Sequence, residues 1–377
     1  MSLSGMMLIS ISRCKGYNEI TNINTQTFTV MKKTHKSLMV LGLVAMTLAS
    51  CSEDDQIDVN LGRPIDFRTS MNSRAVEITN ANITDINVAA FLGDQLFFPV
   101  MKFSKGGEGF FTSDTEYYWP GDDSPLSFYA YAPSNPGGTV SITPDSKTMT
   151  DVTTAPSIAN QVDFVTADTT GTKSANEASG VPLVFNHRLS QVEVLAKTDN
   201  QVYTFKVSGV RIGKPVSKGS FDFETSAWTL GTDRAIYTDT YADARTLTSE
   251  PVSVMGDGGN AMILPQQLTP WAPETDAANA AQGAYLSIKL QINTAETGVQ
   301  VYPFPSDADC QWAAIPVDTN WEPGKKYIYT LDLTHGAGYV DPNDPNPGKP
   351  VLGGPIKFTV DVVDWVDTPE DLPMTTK

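Results

Sequence analysis

Short runs in which β-branched and aromatic residues alternate with polar ones recur along most of this 377-residue chain. Such period-two runs of five to nine positions read as half-buried β-strands, because successive side chains of a strand point to opposite faces. Residues 86–91 and 126–131 are two of them, and residues 185–195, 203–212, 285–292, 326–333 and 356–363 continue the series. In Phe358-Thr359-Val360-Asp361-Val362 the apolar side chains fall on one face, as a strand covering a core requires. Turn-forming clusters punctuate the runs: Trp119-Pro120-Gly121-Asp122, Asn135-Pro136-Gly137-Gly138, Gly256-Asp257-Gly258-Gly259 and Glu322-Pro323-Gly324. Reversals, not helical crossovers, therefore join the strands, and the pattern predicts an all-β chain built from antiparallel β-sandwiches. The best helical stretch, residues 274–282, is alanine-rich but carries no apolar stripe.

At roughly 150 residues per domain the length has room for two domains. The small, polar stretch at residues 170–180 is the best boundary, which divides the folded part into an N-terminal sandwich, residues 63–178, and a C-terminal sandwich, residues 179–377. A Pro/Asn/Asp stretch at residues 341–350 is too rich in proline for a strand and reads as an exposed loop before the last one.

The first fifty residues follow a different pattern. Lys32, Lys33, His35 and Lys36 form a basic start, and an apolar run of eleven residues, 38–48, follows. That run is far too short for a hydrocarbon core of about 30 Å and reads as the apolar part of a signal peptide. It closes on Leu48-Ala49-Ser50-Cys51, which resembles the bacterial lipobox, so cleavage is expected between Ser50 and Cys51 with lipid (diacylglycerol and palmitate) on Cys51. Residues 31–50 are then the signal peptide, residues 1–30 an upstream extension outside the native protein, and residues 51–62 a polar tether. Ser52-Glu53-Asp54-Asp55 is similar to the acidic tract that carries lipoproteins to the cell surface in Bacteroidetes.

Charge and composition narrow the function further. Loss of residues 1–50 removes five basic residues and one acidic one, leaving 21 Lys+Arg against 42 Asp+Glu, a net charge near −21. A surplus of that sign repels phosphate backbones, and nucleic acid is excluded as a partner. Beyond Cys14 and Cys51 in the targeting segment, Cys310 is the one remaining thiol, so no internal disulfide can form and stability must come from core burial. His187 and His335 are the histidines left after the signal, too few for a Cys/His zinc cage. His187 alternates with apolar neighbours and reads as a structural strand residue; His335 follows a strand end. No phosphate loop, nucleophile elbow, His-Glu-x-x-His helix or dinucleotide fingerprint occurs. No enzyme activity, cofactor or metal is expected. The carboxylates of the Asp341-Pro342-Asn343-Asp344 loop match no EF-hand spacing. Trp119, Trp271, Trp312, Trp321 and Trp365 could stack on sugars, which keeps a surface glycan-binding lipoprotein as the alternative reading. A secreted hydrolase, motivated only by abundant carboxylates, is the third.

Several phrases together resemble the fimbrillin-like proteins of Bacteroidetes, subunits of type V pili and related adhesins. They are the lipobox with its acidic tail, Ile65-Asp66-Phe67 with Ser73-Arg74-Ala75, and Tyr118-Trp119-Pro120 ahead of residues 126–133. Phe185-Asn186-His187-Arg188-Leu189-Ser190, Ile263-Leu264-Pro265-Gln266, Trp321-Glu322-Pro323-Gly324 and the closing residues 356–365 complete the set. The resemblance implies two transthyretin-like sandwiches in tandem. It also implies an outer-membrane, surface-exposed lipoprotein that joins a fimbrium, with other pilus subunits, the membrane lipid and a host or bacterial surface receptor as partners. Assembly would follow removal of the first strand by an arginine-specific protease and insertion of a neighbour's strand. On this sequence the exchanged strand lies near Ile65 and Phe67, the cleavage arginine is Arg74, and Arg68 is second; Arg63 is poorer because Pro64 follows it.

Overall fold

A computed structural model describes residues 62–71, 79, 82–273, 283–304 and 310–365. The signal segment, Ser50, Cys51, Arg74 and the alanine-rich stretch at 274–282 lie outside the described residues. All described residues belong to one compact unit, Gln56–Lys377. In chain order its first strands are β1 (Phe67–Met71), β2 (Asp85–Leu92), β3 (Gln95–Lys105), β4 (Phe111–Thr112), β5 (Leu126–Ala132), β6 (Thr139–Thr143), β7 (Ser146–Thr153), β8 (Val165–Gly171) and β9 (Val181–His187). There follow β10 (Ser190–Lys197), β11 (Tyr203–Val216), β12 (Lys218–Asp222), β13 (Ala227–Leu230), β14 (Arg234–Thr246), β15 (Val252–Ser253), β16 (Ala261–Ile263) and β17 (Gln266–Gln267). The last are β18 (Tyr285–Thr294), β19 (Gln300–Tyr302), β20 (Gln311–Pro316), β21 (Asn320–Trp321), β22 (Lys325–Asp332), β23 (Tyr339–Val340) and β24 (Lys357–Asp364). The all-β class anticipated from the alternation is the class observed.

Seven strands close into a barrel in the order β1-β4-β3-β2-β5-β8-β9. Most neighbours are antiparallel, as hairpin connections dictate, but β1 runs parallel to β9 over five residue pairs. The polar stretch at 170–180 ends β8, forms a one-turn helix, α1 (Lys173–Asn176), and leads into β9, which is still a barrel strand. Pro99 lies inside β3 because the register against β2 slips there, between the pairs Val88↔Met101 and Ala90↔Phe98. A bulge needs no ladder bond from the residue it accommodates, so the missing N–H costs little. Phe67, Phe98, Phe103, Phe111, Phe128 and Trp119 fill the interior. Each fully buried phenylalanine contributes roughly 1.5–3 kcal/mol relative to exposure.

The later part of the chain forms two sheets packed face to face. One runs β15-β10-β22-β24, with β10 parallel to β22; the other runs β14-β11-β18-β20-β23. Their inner faces supply one aliphatic core that includes Val192, Val194, Val210, Ile212, Ile288 and Leu331. A four-stranded sheet, β13-β12-β7-β6, takes one hairpin from before β9 and one from after it. Under it Phe164, Phe221, Phe223, Met149 and Trp365 form a third core. His187, at the end of β9, is buried there, with Nδ1 2.9 Å from Asp163 and its ring stacked on Trp365 at 4.1 Å and 5°. The strand-residue reading of His187 agrees with its burial, and Trp321 and Trp365 are buried as well. No helix among the described residues is long and apolar enough to cross a membrane.

Candidate functional site

The barrel is closed by its first strand, five residues long. β1 begins after Pro64, whose ring fixes φ and prepares an extended entry. Ile65 N donates to the Tyr117 carbonyl at 2.8 Å, and Val181 N donates to the Asp66 carbonyl at 2.9 Å. From there β1 pairs with β9, Phe67↔Val181 through Met71↔Phe185, and touches β4 through the single pair Phe67↔Phe111. Two side chains anchor it. Ile65 is buried, and Phe67 is 0% exposed with its ring edge-on to Phe103 at 4.8 Å and to Phe128 at 5.2 Å. Beyond Phe67, and before Met71 ends the strand, come Arg68, Thr69 and Ser70, none of which adds a large apolar anchor. Parallel pairing is slightly weaker per residue than antiparallel pairing. Among the side chains described for residues 65–70, Ile65 and Phe67 are thus the apolar anchors of β1, in a groove whose walls β9 and β4 would be unpaired edges without it.

Charged groups gather where β1 enters. Arg63 Nη2 lies 2.9 Å from Asp66 Oδ2, and its Nη1 donates to the Ala178 carbonyl at 3.3 Å. The Arg63 and Arg68 guanidiniums lie 4.7 and 4.1 Å from the Phe110 ring centroid. Gly180, at φ +72°, sits beneath them; a Cβ there would lie 2.9 Å from Asp66 Oδ1 and 3.0 Å from the Phe110 ring, so only glycine lets β9 start this close to β1. Burial pushes the Asp66 carboxyl above the usual carboxylate range, against the opposing pull of Arg63 and Arg68. A raised folded-state pKa gives a contribution that is fully favourable below the unfolded value and is lost as pH rises through the folded value. At neutral pH the ionised Asp66 thus weakens the seating of β1. Asp66→Asn is expected to raise the urea midpoint at pH 7 and to leave it nearly unchanged at about pH 3, where the native carboxyl is mostly protonated. A lower midpoint at pH 7 would show instead that the Arg63 ion pair outweighs desolvation.

The structure thus brings Ile65, Phe67 and Arg68 together at one barrel seam with Arg63 and Asp66, to which the sequence assigns no part in holding the strand, and adds Phe110 and Gly180, which the sequence alone does not single out. A glycine closing the polar stretch and a Phe-Phe pair after the Gly106-Gly107 turn were the available signals. Arg68 is exposed, but its backbone is in the β1–β9 ladder opposite Pro182. The five tryptophans anticipated as able to stack on sugars are all buried, Trp271 and Trp312 at 3% and 9% exposure. Trp271 packs edge-on to Tyr285 and Tyr339, and Trp312 lies under Arg211. Among the described residues no group of three or more His, Cys, Asp or Glu is placed to hold a metal.

A family model described as fimbrillin-like matches residues 73–365. Among solved structures the chain is similar to a fimbrial protein from Bacteroides vulgatus ATCC 8482, at 16% identity and TM-score 0.54 over 81% of this chain and 100% of that one. It is also similar to a "putative cell adhesion protein" from Bacteroides uniformis ATCC 8492, at 17% identity and TM-score 0.43 over 80% of this chain and 98% of that one. At 16% identity the likeness to the Bacteroides vulgatus protein speaks to the fold alone. No curated protein matches the chain by sequence.

Proposed function

Since the chain belongs to the fimbrillin-like family, we propose that it is a surface-anchored fimbrial subunit or adhesin that assembles by exchange of its first strand. Membership of a fimbrial family supports the coarse role, assembly with other pilus subunits at the cell surface. The finer reading is supported chiefly by the seam at β1, a five-residue strand that completes a barrel and whose described apolar anchors are Ile65 and Phe67. Its removal would leave the free edges of β4 and β9 flanking an apolar slot beside Phe103 and Phe128. A neighbour's strand with alternating apolar residues can refill such a slot by main-chain hydrogen bonds and side-chain anchors.

In this reading Cys51 carries the lipid that holds the precursor on the outer membrane. A cut after Arg74 falls three residues beyond β1, so it separates both the lipid and β1 from the rest in one step. Arg68 is the poorer site, because a protease needs the chain in its own cleft and the Arg68 backbone is engaged with β9. Burial of Trp271 and Trp312 removes the support for the glycan-binding alternative.

The test is treatment of the purified mature chain with an arginine-specific protease, read by intact mass, N-terminal sequencing and gel ladders. A new N-terminus at Ala75 together with high-mass species, both abolished in Arg74→Ala, is the expected result. Cleavage at Arg74 that yields only monomers, or ladders that persist in Arg74→Ala, would overturn the mechanism.

A further inference from the structure

The last strand presents a second, unguarded edge. β24 lies at the end of its sheet and pairs with β22 over eight consecutive residues, Lys325↔Asp364 to Asp332↔Lys357, without a bulge. Among the described residues no strand covers its other side. Soluble proteins usually blunt such edges with proline, a bulge, or lysines along the strand. β24 has no proline, its one lysine stands at the first position, and Val362 and Val363 are 52% and 46% exposed. Phe358 and Val360 are only partly buried against the aliphatic core, so an added strand would finish covering them.

We propose that this edge pairs antiparallel with β24 of a second copy of the chain, extending one sheet across a two-fold axis. Charge selects this occupant. Lys325 pairs with Asp364, which leaves Lys357 and Asp361 as the strand's two uncompensated charges, one of each sign, four residues apart on the outward face. In a pairing centred on Val360, Phe358 faces Val362 of the second copy on the core side. On the outer side Lys357 lies opposite Val363 and diagonal to Asp361, within reach of a long side chain, and symmetry makes that contact twice. A slip by one register step, centred on Asp361, would set two aspartates face to face. The strand is thus complementary to its own reverse.

The experiment is sedimentation equilibrium of the purified, uncut mature chain, a sample in which first-strand exchange is silent. Wild type is expected to dimerise with a dissociation constant on the order of 1–100 µM. Lys357→Glu or Asp361→Lys alone should weaken the dimer about tenfold, since each turns two attractions into repulsions, and the double swap should restore it. Both positions are exposed, so the variants keep the fold, which far-ultraviolet circular dichroism checks. The proposal is overturned if wild type stays monomeric to several hundred micromolar (roughly 500 µM), or if single and double variants associate alike. A dimer that appears only after deletion of residues 366–377 also overturns it, by showing that the chain's own tail covers the edge.

Discussion

Phe67→Ala is expected to lower the unfolding free energy by about 3–5 kcal/mol, the usual cost of emptying a buried phenylalanine site. Phe67 is fully buried at the point where β1 meets both β9 and β4, with Phe103 and Phe128 edge-on at 4.8 and 5.2 Å. Neither ring can follow a shortened side chain without leaving the positions its other neighbours fix, so a cavity remains. The loss is also local, because among the side chains described for residues 65–70 Ile65 is then the one buried apolar anchor left. Amide exchange should therefore accelerate most in residues 181–185 of β9 and at Phe111, whose partners are the β1 backbone, and little in β11 and β18. An uncut Phe67→Ala chain should take up a synthetic peptide of residues 62–71, which the wild type refuses while its own strand is seated. Arg68→Ala, by contrast, removes an exposed cation–π contact worth roughly 0.5–1 kcal/mol. If Phe67→Ala shifts the urea midpoint no more than Arg68→Ala does, β1 is not the keystone of the barrel, and strand exchange loses its physical basis.

The alternation of apolar and polar residues made β2, β5, β11, β18, β22 and β24 legible in the sequence, because each runs at least seven residues against a core. The run at 185–195 concealed a change of sheet: β9 ends at His187, β10 starts at Ser190, and the two belong to different layers. β3 was missed because Pro99 reads as a breaker until the bulge that shelters it is known. β14, Arg234–Thr246, was missed because it is an edge strand rich in Thr, Asp and Ala that buries almost nothing. Closure of the barrel by a parallel β1–β9 pair joins segments more than a hundred residues apart, and no local periodicity encodes a partner at that distance. Trp271 and Trp312 misled for a related reason. A half-buried strand leaves its outer face to solvent, but the first half of β18 is buried on both faces. The loop that begins at Asp341 covers its outer face, where Trp271, Tyr285 and Ala314 form a small cluster.

That covering depends on a buried charge, and Arg211→Met is expected to cost about 3–5 kcal/mol through it. Asp341, read from the sequence as the start of an exposed loop, is 0% exposed. Its Oδ1 accepts from Asn343 N at 2.8 Å and Asn343 Nδ2 at 2.7 Å, and its Oδ2 accepts from the Ser287 hydroxyl. Arg211, paired across the sheet with Ser287, brings Nη1 to 2.9 Å of Oδ2, and its guanidinium lies 4.1 Å from the Trp312 ring centroid. The Nη1 group is close to the carboxylate but off the line of a good hydrogen bond, so the attraction is mainly Coulombic and acts where water cannot screen it. Methionine fills the space over Trp312 and removes the countercharge, leaving an ionised carboxylate that three neutral donors hold but do not neutralise. Adding Asp341→Leu to Arg211→Met should recover most of the loss, since a buried pair replaced whole is often neutral while a pair broken in half is not. Urea midpoints of the single and double variants should also respond little to salt, unlike those of a surface pair. A single variant within about 1 kcal/mol of wild type would mean that the Ser287 and Asn343 hydrogen bonds alone sustain the charge. In that case Arg211 serves by stacking on Trp312, and Arg211→Met should keep that stability even as Ser287→Ala loses it.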